Sequence, residues 1–250
     1  MLASRPFVLF RVFCDSWLPE VNQFEPRGKT KTTNNTKRNG TKKRIHTASG
    51  ASAGEGRPTL PQIQNMRKLI AAINMTLDGF CDHTSMGADD EIHRHYADLL
   101  KSADTVIYGR KTFQLMEYWK SVVENPTGNK ASDDFAVAID NIRKIVYSRT
   151  LESVDWKNTE VKSEIIEEEI LELKQQAGRD IFVGSPSLIV ALGNLGLVDE
   201  YQLGLHPTVV GSGLQLFKNV ANRIDLKLLK TKPFKCGAVV LYYQSTTGHA

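Results

Sequence analysis

Three times in this chain a short apolar run breaks off into a small, polar turn. The runs are Asp104–Thr112 (DTVIYGRKT), Lys144–Thr150 (KIVYSRT) and Asp180–Leu188 (DIFVGSPSL). Continuous apolar runs of this length read as strands covered on both faces. Helical stretches lie between them, so the chain is constrained to a largely parallel α/β sheet whose turns gather along one edge.

The rest of the chain fits that plan. Leu69–Ile73 reads as a first buried strand, and Thr76–Gly87 as a polar loop. Ile92, Tyr96, Leu99 and Leu100 share one face of a helix over Asp89–Lys101, with Asp89, Asp90 and Glu91 favouring the positive end of its dipole. Short helices are expected over Phe113–Trp119 and Phe135–Ile142, with an exposed loop over Val122–Asp133. Glu164–Ala177 is an amphipathic helix closed by Gly178, and Leu188–Leu195 is another. Tyr201, Leu203 and Leu205 alternate as in a strand with one covered face. Leu226–Thr231 and Ala238–Tyr243 read as an antiparallel hairpin through Pro233 and Gly237.

Charge divides the chain near residue 65. Residues 1–65 carry 11 Lys and Arg against 4 Asp and Glu, whereas residues 66–250 carry 21 against 24. The basic character therefore belongs to the first segment, and the near-neutral remainder argues against a nucleic-acid-binding body. Residues 1–65 are too poor in apolar side chains to offset ordering entropy and read as a disordered basic extension. Three readings of it stand: translation starting at Met66, a targeting peptide in Met1–Phe13, or a basic arm for nucleic acid or acidic lipid. The Lys37–Arg44 run lacks interleaved aromatics and reads as a solvated charge run.

Residues 66–250 supply one domain with a sizeable core. No segment in them is long and apolar enough to span a bilayer. Cys14, Cys81 and Cys236 have no metal-type spacing and suggest reduced thiols in the cytoplasm.

The turns carry the chemistry. Gly184 lets the chain approach a ligand, Ser185 suits a helix cap and Pro186 the first helical position, leaving the N–H groups of Ser187 and Leu188 to face a pyrophosphate. Gly109-Arg110-Lys111-Thr112 offers a guanidinium fork, a point charge and a hydroxyl. Ser148-Arg149-Thr150 repeats the idea and suits the 2′-phosphate that distinguishes NADP from NAD. Each turn alone is also what a well-capped helix or a decorated surface looks like; their common position after buried strands makes NADPH the candidate cofactor. Gly211-Ser212-Gly213 lacks the third glycine of a Rossmann fingerprint.

In order along residues 66–250, Met75–Phe80 (MTLDGF), Gly109–Thr112 (GRKT), Ser148–Leu151 (SRTL), Asp180–Leu188, Gly196–Glu200 (GLVDE), Pro207–Phe217 (PTVVGSGLQLF) and Gly237–Tyr242 (GAVVLY) resemble the dihydrofolate reductase-like superfamily. Within it they resemble the C-terminal reductase domain of the riboflavin-pathway deaminase–reductase. The resemblance implies a three-layer fold, a mostly parallel central sheet with a C-terminal antiparallel hairpin, and an often dimeric NADPH-dependent reductase acting on a small heterocycle. It implies that Gly109, Arg110 and Thr112 grip the phosphates, that Ser148 and Arg149 take the 2′-phosphate, and that Gly184, Ser185 and Leu188 hold the pyrophosphate. Ala72, Asp78 and Gly79 would line the nicotinamide end.

Two departures bear on the substrate. The carboxylate that dihydrofolate reductases carry inside the first helix is replaced by Ile92-His93-Arg94-His95-Tyr96, and residues 1–65 contain no zinc deaminase signature. A stand-alone reductase-like domain is therefore expected. Asp78 is the candidate polar anchor or proton relay, its alternative being a turn aspartate that bonds backbone. His93 and His95 point apart on a helix and read as surface residues rather than metal ligands. Asp82 and His83 could touch substrate or be solvated, and Tyr118 and Trp119 could close the cleft or pack in the core. The competing functions are a cofactor-binding protein without turnover and a tether that works through the basic extension.

Overall fold

The computed structural model describes residues 66–81, 86 and 89–246. The basic extension, Cys14, Asp82 and His83 lie outside the described residues.

Eight strands form one sheet: β1 (Leu69–Thr76), β2 (Ala103–Gly109), β3 (Arg143–Tyr147), β4 (Thr159–Lys162), β5 (Asp180–Val183), β6 (Glu200–His206), β7 (Leu226–Pro233) and β8 (Val239–Ser245). Their spatial order is β4-β3-β2-β5-β1-β6-β8-β7. The first six strands in that order run parallel, and β8 and β7 close the sheet as an antiparallel hairpin. The helices are α1 (Asp90–Ser102), α2 (Arg110–Met116), α3 (Tyr118–Glu124), α4 (Lys130–Asn141), α5 (Glu167–Gln175) and α6 (Pro186–Asn194).

The period-two alternation of the strands builds the three layers. Ile70, Ala72, Val106, Tyr108, Val146 and Phe182 face α1–α4, where Phe113, Trp119, Phe135 and Ile139 meet them. Leu69, Ala71, Ile107, Ile145, Ile181 and Val183 face α5 and α6, packed by Ile170, Leu173, Leu188, Ile189 and Leu192. Burying each Val, Leu, Ile or Phe side chain among them stabilises the fold by about 2 kcal/mol. The parallel, mostly two-sided sheet and its C-terminal hairpin agree with the sequence reading.

Arg67 anchors the start of the described chain. Its guanidinium is buried, donates to the carbonyls of Arg179 and Leu173 and to Thr105 Oγ1, and pairs with Asp104. Asp199 ties in the other side: its carboxylate accepts from Leu69 N at 2.7 Å and pairs with the buried Lys174 at 2.8 Å.

Several local expectations are corrected. The single helix over Phe113–Trp119 is two, α2 and α3, and the Val122–Asp133 loop shrinks because Asn129 accepts from Ala131 N and Ser132 N and starts α4 early. β4 is a further strand, polar and at the sheet edge, so it carries no apolar run to read. β6 is covered on both faces: Gln202, Gly204 and His206 are buried along with Tyr201 and Leu203. α5 ends at Gln175, short of Ala177 and Gly178. His95 is buried against Phe234 and Tyr242 rather than exposed, and burial beside Lys232 lowers its pKa to about 4. His93 is half-buried against Trp119 and Phe135.

Candidate functional site

The strand order brings the three sequence turns side by side. β3, β2 and β5 are consecutive neighbours and parallel, so the turns after Tyr147, Gly109 and Val183 open on one carboxyl edge. A direct bond joins two of them: Gly109 N donates to Ser185 Oγ at 2.8 Å. This corrects the capping role expected for Ser185, whose hydroxyl makes no bond to its own helix. It leaves α2 and α6 without side-chain N-caps, starting next to each other, with no acid in either first turn. Such helix starts present unsatisfied N–H groups to an anion.

Each candidate residue has a definite position there. Arg110 and Thr112 are half-buried in the first turn of α2. A Cβ on Gly184 would lie 3.0 Å from Phe182 Cζ and 3.3 Å from Tyr108 Cε1, so the chain passes tightly over the core. Leu188 is fully buried, and only its N–H is a candidate contact. Ser148 Oγ accepts from Thr150 N at 3.2 Å and Leu151 N at 3.0 Å, folding a turn that presents Arg149 and Thr150 to solvent.

Beside these tips the sheet opens. β1 pairs with β5 only through Leu69–Ala71, while β6 follows β1 to Thr76. From Ala72 onward the β5-side edge of β1 has no ladder partner among the described residues. The outgoing helix of β5, α6, packs on the opposite face from α1 and α2, which follow the strands on either side of it. Parallel sheets bind ligands in the crevice made where adjacent connections diverge to opposite faces.

The far wall of the crevice is a clasp between the loops after β1 and β6. Leu77 N donates to Thr208 O, Cys81 N to Leu214 O and Leu216 N to Gly79 O. Gly79 supports this with φ +85, a conformation other residues rarely adopt. Asp78 locks the clasp: it accepts from Thr76 Oγ1 at 2.6 Å, Gly211 N at 2.7 Å and Val210 N at 3.1 Å. The Thr76 hydroxyl above all, together with the backbone donors, holds its carboxyl below the ordinary carboxylate range against the opposing effect of burial. An aspartate so held is an anchor and a poor proton donor.

A polar group absent from the sequence reading lies on the α1 side. Asn74 Oδ1 accepts from Tyr96 Oη at 3.0 Å and sits 3.1 Å from His206 Nε2. Its one signal in the sequence is a carboxamide inside the otherwise apolar run Leu69–Met75. A cavity of about 950 Å³ lies elsewhere, at the amino ends of β2, β3 and β4, lined by Lys101, Asp134, Arg143, Glu160 and Arg179. No group of three or more His, Cys, Asp or Glu residues among those described could hold a metal ion, and no described helix is long and apolar enough to cross a membrane.

The sequence profile of the RibD C-terminal domain matches residues 67–240. The chain belongs to the RibD C-terminal domain family. It is 36% identical over 181 residues to the uncharacterized protein YyaP of Bacillus subtilis, covering 71% of this chain and 94% of that one. Among solved structures it is similar to a Shewanella sp. PV-4 protein named for riboflavin biosynthesis, with a TM-score of 0.56 at 15% identity, covering 72% of this chain and 99% of that one. The dihydrofolate reductase of Enterococcus faecalis, solved with NADP(H), aligns with a TM-score of 0.50 at 14% identity over 72% of this chain and 96% of its own. The fold is thus dihydrofolate reductase-like.

Proposed function

We propose that residues 66–250 form an NADPH-dependent reductase that transfers hydride to a small pyrimidine- or pterin-like heterocycle. The observation that carries this reading is the adjacency of three anion-seeking tips, β3, β2 and β5, next to the open stretch of β1. The pyrophosphate would lie at the uncapped starts of α2 and α6, against Gly109, Arg110, Thr112, Gly184, Ser185 and the N–H of Leu188. The 2′-phosphate would sit on Ser148 and Arg149. The nicotinamide would enter the crevice at Ala72, with the Asp78–Gly79 clasp as its wall.

NADPH supplies the hydride. The chain orients ring and substrate and keeps bulk water from the reacting face. With Asp78 held ionised, the product would take its proton from water. The relatives named for riboflavin biosynthesis and for NADP(H) binding support this reading through fold and family. We place the protein in the cytoplasm as a homodimer, with small molecules as its partners and neither nucleic acid nor membrane.

Titration of the purified domain with NADPH, followed by its fluorescence, tests cofactor binding. Loss of absorbance at 340 nm with aminopyrimidines and pterins tests turnover. Saturable binding with oxidation of NADPH is the expected result; absence of affinity for NADPH would end the proposal.

A further inference from the structure

We infer that Asn74 selects the substrate, offering its carboxamide N–H groups to a carbonyl oxygen or an unprotonated ring nitrogen of the heterocycle in the crevice. This rests on the reductase reading above.

Asn74 lies in the part of β1 that has lost its β5 partner and is half-exposed. Its Oδ1 is already committed. Tyr96 Oη donates to it at 3.0 Å, and His206 Nε2 lies 3.1 Å away. His206 is itself buried, and burial lowers its pKa, so the ring is neutral and carries one N–H. With Nε2 as the protonated nitrogen, two donors fill the two lone pairs of Oδ1.

The sequence makes room for this arrangement. A Cβ at Gly204, the β6 residue paired with Asn74, would lie 2.5 Å from Asn74 Oδ1 and 3.4 Å from Tyr96 Oη. Only glycine lets the carboxamide lie flat over β6. Because the two arms of a planar carboxamide diverge, the N–H₂ arm then turns away from β6. It donates to no described residue. A fixed, unspent donor beside the hydride path rejects rings that present only donors, since a buried donor left without its partner is costly.

Two measurements test this independently of turnover. Long-range ¹H–¹⁵N spectra of the intact protein should find His206 as the neutral Nε2–H tautomer. The Nδ1–H tautomer would make Nε2 an acceptor, turn the carboxamide around and overturn the proposal. Calorimetric titration with 5-aminouracil as probe, with NADPH present, should give saturable binding that weakens about five- to tenfold in Asn74→Ala and Asn74→Asp. Gly204→Ala should weaken it likewise by displacing the side chain. No binding of the probe to the wild type, or equal affinity in Asn74→Ala, would overturn the assignment. NADPH titrated alone reports on the parent reading: unaltered cofactor affinity in these variants separates a failed Asn74 assignment from a failed reductase.

Discussion

Replacing Ser185 tests how the tips are held. The residue is 1% exposed, and its hydroxyl accepts the Gly109 N–H at 2.8 Å across 76 residues of sequence. Ser185→Ala leaves that part-buried donor without its side-chain acceptor. An unsatisfied buried N–H costs about 1–3 kcal/mol. For a folded part of this size, each kcal/mol lowers Tm by roughly 2–4 °C, so a fall of roughly 2–12 °C is expected. Urea denaturation at unchanged m-value measures the same loss. The companion variant Ser185→Gly decides the mechanism. Glycine at an N-cap costs only a few tenths of a kcal/mol relative to serine, so a capping role predicts near-wild-type stability for glycine. A tie to Gly109 predicts that Gly and Ala lose about the same. A stable Ser185→Gly beside a weakened Ser185→Ala would refute the tie. The same two variants should bind NADPH more weakly, because the starts of α2 and α6 lose their fixed spacing.

Arg149→Ala should weaken NADPH far more than NADH, since only NADPH carries the 2′-phosphate; equal losses by fluorescence titration would remove Arg149 from that role. Asp78→Asn should speed amide exchange at Val210 and Gly211, which share its carboxylate. Because the folded-state pKa of Asp78 is lowered, its contribution is present above the ordinary value of 3.8 and fades as pH falls through the folded one. The variant's acid denaturation should therefore lack that part of the loss. Lys144 gives a slope of the same sign at alkaline pH. Fully buried, it donates to the carbonyls of Asp140 and Ile142, each at 3.0 Å, and burial lowers its pKa from 10.5 to about 8. Between those values the unfolded chain holds the extra proton, so stability should rise with pH from about 8 to 10, by up to roughly 3 kcal/mol. Lys144→Met should remove the rise in denaturant titrations.

The strand tips were legible in the sequence because each buried strand ends abruptly in Gly or Ser. Their adjacency was not. The pairing of Ile107 with Val183 joins residues far apart in the chain, and no local pattern records it. Ser185 shows the same limit: a Ser-Pro start reads as a cap, and only the neighbouring tip shows what the hydroxyl bonds. β4 escaped because TEVK is a polar edge strand, and His95 because helical spacing alone does not reveal that the β7–β8 hairpin covers it. Asn74 was visible as a polar residue in an apolar strand, but its meaning depends on Tyr96, Gly204 and His206 arriving from two other elements.

The most direct measurement is a structure with NADPH bound. The pyrophosphate should lie against the starts of α2 and α6, with the 2′-phosphate at Ser148–Thr150. A cofactor seated instead among Arg143 and Arg179 at the amino-edge cavity, or none bound at saturating concentration, would contradict it.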